Sequence, residues 1–206
     1  MKRFIGISLL FALIFLMSGC KKPVRLRNVD SPHHGIVCFG DSITAGYGST
    51  EGNDYPSILR RAIPEEPVIN AGKNGDTSKD GLIRLQQDVL SHKPRIVIVE
   101  FGGNDFLQKI PVEQTLANIK TITEQIQQSG AAVVLLEIKV HPIKDLYITG
   151  FQRIARNKQA LLLPHILKGI LTDPSAKSDI IHPNNKGYQI VAERVLRAIE
   201  PYRKRE

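Results

Sequence analysis

The sequence predicts an α/β fold, a three-layer αβα sandwich on a mostly parallel sheet. Three observations carry that expectation. Short apolar runs recur along the chain with helical patterns between them, which is the rhythm of βαβ units. The clearest run, "RIVIVEF" (95–101), is apolar at successive positions, as in a strand covered on both faces. The chain has 206 residues, 42% of them hydrophobic, enough for one domain with a substantial core and too few for two comfortable ones.

Taken in order, "GIVCF" (35–39) reads as a first buried strand. "YPSILRRAI" (55–63) reads as a helix, with Asp54 placed to cap it and Pro56 in its first turn. "PVIN" (67–70) is a second short strand. In "TSKDGLIRLQQDVLSH" (77–92), Leu82, Leu85 and Val89 share one helical face behind a Thr77 or Ser78 cap. Strand three is 95–101. Residues 112–130 form a long helix stopped by Gly130, and "AAVVLLEI" (131–138) is strand four. Between 139 and 170 the pattern weakens to a helix near 146–160 and a short strand at "ALLL" (160–163). A last helix starts near Asn184 and ends before Pro201. Neither internal repeats nor low-complexity tracts occur.

The N-terminus stands apart. "MKRFIGISLLFALIFLMSGC" has Lys2 and Arg3, then an apolar stretch from Phe4 to Met17, then Ser18 and Gly19 before Cys20. That is a signal-peptide pattern, and it is short for a membrane span of about 20 residues. "LMSGC" resembles the bacterial lipoprotein box, although Met17 stands where Leu is usual. The resemblance implies cleavage after residue 19 and a lipidated Cys20. An ordinary signal peptide with a chance Cys, or an uncleaved anchor, are the alternatives. Residues 21–34, "KKPVRLRNVDSPHH", are basic and without period and read as a tether, so that 35–206 is the single folded domain. Its lysines and arginines either lie on anionic headgroups or are simply solvated. With Cys20 lipidated, Cys38 has no disulfide partner and is read as a small buried apolar residue.

The formal net charge of +8 admits an anionic partner. With 6% aromatic residues, no Trp and neither an RNP-like run nor finger spacing, nucleic acid is not expected. No Cys/His cluster suggests a metal, and no cofactor is indicated.

Chemistry gathers after the strands. Gly40-Asp41-Ser42 follows strand one, "NAGKNGDTS" (70–78) with Gly75 follows strand two, and "GGND" (102–105) with Asn104 follows strand three. "SDIIHPN" (178–184) precedes the last helix and holds Asp179 and His182. Ser42 alone is a turn residue, a helix cap or a nucleophile. In a parallel sheet these loops share the carboxyl rim where ligands bind. A serine oxygen needs a base to take its proton, and imidazole is free to do so near neutral pH. A carboxylate three residues before the histidine can fix its tautomer. The pattern is not the G-x-S-x-G elbow, since Thr44 stands two after Ser42.

"GDSITAGYG", "GDTS", "KPRIVIVEFGGND" and "IHPN" resemble the SGNH (GDSL) hydrolases. They are most similar to the bacterial thioesterase I, lysophospholipase and arylesterase group, over essentially the whole chain after the tether. The resemblance implies a flavodoxin-like fold with a five-stranded sheet and an acyl-enzyme on Ser42, with Asp179 and His182 completing a triad. It assigns the oxyanion hole to the Ser42 and Gly75 backbone N–H groups and the Asn104 side chain. Gly72, in the same loop as Gly75, is read as a turn residue. His33, His34, His92, His141 and His165 lack an acid three residues before them in a terminal loop. The resemblance is loosest over 139–170, which should line part of the acyl pocket, and Ile180 stands where relatives often have Gly. The expectation is an envelope-anchored esterase or thioesterase acting on small acyl or lipid substrates. A carbohydrate or peptidoglycan O-acetylesterase is the alternative, and a catalytically silent binding lipoprotein a third. Oligomeric state is not legible.

Overall fold

A computed structural model describes residues 25–139 and 146–203. The signal-peptide pattern, Cys20 and His141 lie outside them. The chain runs through β1 (Ile36–Gly40), α1 (Ser42–Ala45), α2 (Tyr55–Ala62), β2 (Val68–Gly72), α3 (Ser78–Asp88) and β3 (Ile96–Glu100). It continues through α4 (Gly103–Leu107), α5 (Val112–Gln128), β4 (Ala132–Leu136), α6 (Leu146–Lys158), β5 (Leu161–Leu163) and α7 (Asn185–Ile199). The five strands form one parallel sheet in the order β2-β1-β3-β4-β5. The order reverses between β1 and β3, and in such sheets the crevice beyond that point receives the ligand.

Strand alternation builds the three layers. Ile36, Cys38, Ile96, Ile98 and Val134 point to one face, where Tyr55 and Leu59 of α2 and Tyr188, Val191 and Val195 of α7 cover them. Val37, Phe39, Val97, Val99 and Val133 point to the other, against Leu85 of α3, Ile119, Ile122 and Ile126 of α5 and Phe151 of α6. Both faces are therefore buried, which is why the strands read as unbroken apolar runs. Caps act as the residue types demand: Asp54 accepts from the Ser57 N–H at 2.9 Å, and Thr77 and Asp80 form a reciprocal capping box.

Two segments differ from expectation. The helix expected over 77–92 stops at Asp88, and a 3-10 turn follows at Leu90–His92. Pro94 disfavours helical backbone at Lys93, which takes φ +48°. The second difference lies in the stretch read as a tether. From Arg25 it is packed onto the domain, because Leu26 is buried in the core and Asn28 Nδ2 donates to the Gln127 and Ala131 carbonyls at 2.8 and 3.0 Å. The Arg27 N–H donates to Gln159 O at 2.9 Å.

The opposite chain end is fastened to the same side. Arg95 is fully buried just before β3, and it donates to Glu66 at 2.6 Å and to Tyr202 O at 2.8 Å. Among the described residues no helix is long and apolar enough to cross a membrane.

Candidate active site

Strand β1 ends at Gly40, where a Cβ would fall 2.2 Å from Thr44 Oγ1 and 2.5 Å from Glu100 O, so only glycine fits. Asp41 follows and its Oδ1 accepts the Ile43 N–H at 3.0 Å, capping α1. Ser42 is the first residue of that helix, so its N–H has no intrahelical acceptor. The turn closes as the N–H groups of Gly46 (φ +90°) and Tyr47 both donate to Ser42 O at 3.0 Å. Cap and exposed hydroxyl thus arise from one turn.

The segment bearing Asp179 and His182 comes to this turn from the far end of the sequence. A bridge between Lys177 and Pro183 narrows it. Asp179 Oδ1 accepts the N–H groups of Ile181 and His182, each at 2.8 Å. Asp179 Oδ2 lies 2.7 Å from His182 Nδ1, and His182 Nε2 lies 3.0 Å from Ser42 Oγ. An ionised carboxylate only accepts, so Nδ1 carries the hydrogen and Nε2 is left to accept from the serine. Burial pushes the Asp179 carboxyl up, but the hydrogen bonds from the His182 ring and the two backbone N–H groups outweigh it and hold it below the ordinary range. The Tyr47 ring lies against the imidazole at 4.5 Å between centroids, and Tyr188 donates to Tyr47 O at 2.8 Å.

The loops after β2 and β3 meet beside Ser42. Asn104 Nδ2 donates to Asp76 O at 2.9 Å and to Asp41 Oδ2 at 3.3 Å, joining all three loops. Gly75 has φ +83°, and a Cβ there would meet no protein atom within 4 Å, so its backbone faces open space. Gly72 is not a turn residue: it ends β2 opposite Gly40, and a Cβ would lie 2.1 Å from Ala45 N. Its glycine is required by the close approach of α1.

Supporting groups that the sequence reading passed over hold these loops. Arg84 donates to Asp76 at 2.6 Å, to Ala71 O at 2.8 Å and to Gly40 O at 2.9 Å, and stacks on Phe39. Asp105, fully buried, accepts from the Ser78 N–H, the Ser78 hydroxyl and Thr115. Glu100 is fully buried beneath Asp41 and accepts from Thr44 at 3.1 Å. Burial, then the charge of Asp41, push its carboxyl well above the ordinary range. Burial also raises Asp41, to about 6, against the hydrogen bond from Ile43. An acid at the end of an apolar strand was the available sequence signal for Glu100.

A cavity of about 160 Å³ opens beside Ser42 and His182, walled by Phe106, Leu107, Ile138, Leu167, Leu171 and Ile181. Phe106 and Leu107 also border a second apolar hollow that includes Ile110, Val112 and Tyr147. The arrangement can move a proton from a hydroxyl to an imidazole next to an apolar recess. Among the described residues no group of His, Cys, Asp or Glu is placed to hold a metal. Cys38 is free and buried, and burial pushes its thiol up, away from reactivity.

The arylesterase of Vibrio mimicus is 32% identical over 174 residues, which cover 80% of this chain and 87% of that protein. The uncharacterized lipoprotein YqeF of Bacillus subtilis is 36% identical over 112 residues, which cover 51% of this chain and 41% of that one. The crystal structure of TesA superposes with a TM-score of 0.75 at 29% identity, covering 82% of this chain and 99% of that one. Residues 38–190 match the GDSL-like Lipase/Acylhydrolase family, a span running from β1 through the loop of His182 into α7. With that span covering well over half of its length, the chain belongs to the GDSL-like lipase/acylhydrolases and is a hydrolase of ester bonds.

Proposed function

We propose that the protein is a serine esterase that cleaves acyl ester or thioester bonds through an acyl-enzyme on Ser42. The observation that carries the reading is the Ser42–His182–Asp179 chain of contacts, 3.0 and 2.7 Å, opening on an apolar cavity. Ser42 Oγ attacks the acyl carbonyl carbon while its proton passes to His182 Nε2. Asp179 holds the imidazole and stabilises the imidazolium. The oxyanion is received by the N–H groups of Ser42 and Gly75 and by Asn104 Nδ2, which turns from Asp76 O to do so. Collapse expels the alcohol or thiol, which takes the proton from His182. Water, deprotonated by His182, then releases the acid and frees Ser42.

The apolar walls favour an acyl chain over an acetyl group on a sugar. Cys20 is read as a lipid attachment site that keeps the enzyme in a bacterial envelope, a reading that the lipoprotein relative supports. Two or more acyl chains on such a cysteine give durable membrane binding. The test is hydrolysis of p-nitrophenyl esters from acetate to palmitate by the wild type and Ser42→Ala. Activity on medium or long chains that Ser42→Ala abolishes is the expected result. A peak at acetate moves the reading to a deacetylase. Equal, residual rates in both proteins would reject catalysis and favour a silent binding lipoprotein.

A further inference from the structure

We propose that the anchored enzyme rests with the N-terminal edge of its sheet on the bilayer and its catalytic rim turned to the aqueous space. Its substrates are then acyl esters that arrive from water, rather than lipids of the membrane that holds it. The inference rests on the reading of Cys20 as the lipidated residue and of Ser42 as the nucleophile.

The first ground is where the chain enters the domain. All five strands are parallel, so Ser42, Gly75 and Asn104 share one rim and residues 35, 67, 95, 131 and 160 share the opposite edge. The entering segment is fixed at that opposite edge. Asn28 is bound to the carbonyls of Gln127 and Ala131, Arg27 to that of Gln159, and Leu26 is buried.

The second ground is length. From Cys20 to Arg25 the chain spans five residues, at most about 18 Å whatever its conformation. Helix α5 starts beyond the rim loop of Asn104 and ends beside the Asn28 site, and its 17 residues measure about 26 Å. The tether is therefore shorter than the domain is tall. A cysteine held at the bilayer surface cannot be carried up past the height of the domain, so the domain cannot stand rim-down on that surface.

The third ground is charge. Arg25, Arg27, Lys93 and Arg156 are exposed at or next to the entering edge, with no acidic partner among the described residues. Of the acids in the loops of that edge, Glu65 and Glu200 pair with Arg203 and Glu66 with Arg95, which leaves Asp30. Lys21 and Lys22 stand between Cys20 and this patch in sequence. A basic face next to the anchor matches an anionic leaflet.

The experiment uses the full-length protein, purified with its own processing and placed in phosphatidylglycerol/phosphatidylethanolamine vesicles containing a nitroxide-headgroup lipid. A fluorophore is attached in turn at Lys93→Cys, on the entering edge, and at Glu51→Cys, in the rim loop whose Thr50 N–H donates to Asn185. Cys38 is buried and stays unlabelled. Quenching several-fold stronger at position 93 than at 51, with p-nitrophenyl butyrate turnover the same on vesicles as in detergent, is the expected result. Quenching equal at both positions or stronger at 51 overturns the orientation, as does turnover that falls tenfold on vesicles. Mass spectrometry of the mature N-terminus separates the premises. Without lipid on Cys20 the anchor and the orientation fall together while the esterase stands. Inertness in detergent and vesicles alike rejects the hydrolase reading instead.

Discussion

The pair of buried carboxyls under the nucleophile is the feature on which single residues leave the clearest mark. Asp41 caps α1 through Ile43 and receives Asn104, so it touches both the serine turn and the proposed oxyanion donor. Glu100 lies beneath it, and burial, then the charge of Asp41, push its carboxyl well above the ordinary 4.5. The folded state binds that proton more tightly than the unfolded chain, so this carboxyl's own contribution to stability is fully present below about 4.5 and is lost as pH rises toward its raised value. Asp41, raised from 3.8 to about 6, adds a loss of the same sign across that interval. Glu100→Gln removes the first term and keeps the acceptor for Thr44. Its melting temperature should equal that of the wild type near pH 4 and exceed it increasingly toward pH 8. Calorimetry across that range checks it, and a variant less stable at pH 8 than the wild type would count against the protonated carboxyl. Asn104→Ala should lower kcat by about 10²–10³ with a smaller change in KM, since the proposed donor acts on the developing oxyanion while its resting bonds to Asp76 and Asp41 hold the loops. A change confined to KM, measured in steady state, would place Asn104 in ground-state binding instead.

Among the elements, the four-residue α1 is the one whose position matters most, and it is placed by neighbours rather than by its own propensity. So short a helix has no independent stability. It is held by the Asp41 cap, by the αL turn at Gly46 and by contact with the end of β2. Gly72→Ala would drive a Cβ into Ala45 N and Thr44 C, backbone atoms that cannot swing aside. The variant should lose about 1–3 kcal/mol of stability, as overpacking typically does, and most of its esterase activity, because α1 carries Ser42. Urea unfolding and ester hydrolysis together test this: full activity would mean that α1 moves without carrying the serine off line. The sequence showed Gly72 next to other loop residues, and nothing local distinguishes a turn glycine from one that yields room to a helix 27 positions earlier.

For the whole molecule, the parallel sheet separates two ends with different tasks: loops that meet at the rim, and an edge that receives the entering chain and, through Arg95, the departing one. That separation turns a five-residue reach into a statement about which way the enzyme faces. The sequence by itself determined the fold class, and it nominated the residues of the proposed site. Wholly apolar runs occur where both sheet faces are covered, and Ser42, Gly75, Asn104, Asp179 and His182 stand out because their residue types, in loops that follow strands or precede the last helix, suit proton transfer and oxyanion binding. Tertiary structure alone decided three things. It put an acid, Glu100, under the serine turn, where a charge closing an apolar strand looks from sequence like a solvated strand end. It folded residues 25–34 onto the domain, since the acceptors of Asn28 lie about 100 positions away and leave no periodic trace. It brought Asp179 and His182 to Ser42 across 140 positions, because adjacency at a rim depends on strand order, and strand order is a property of packed layers rather than of any segment read alone.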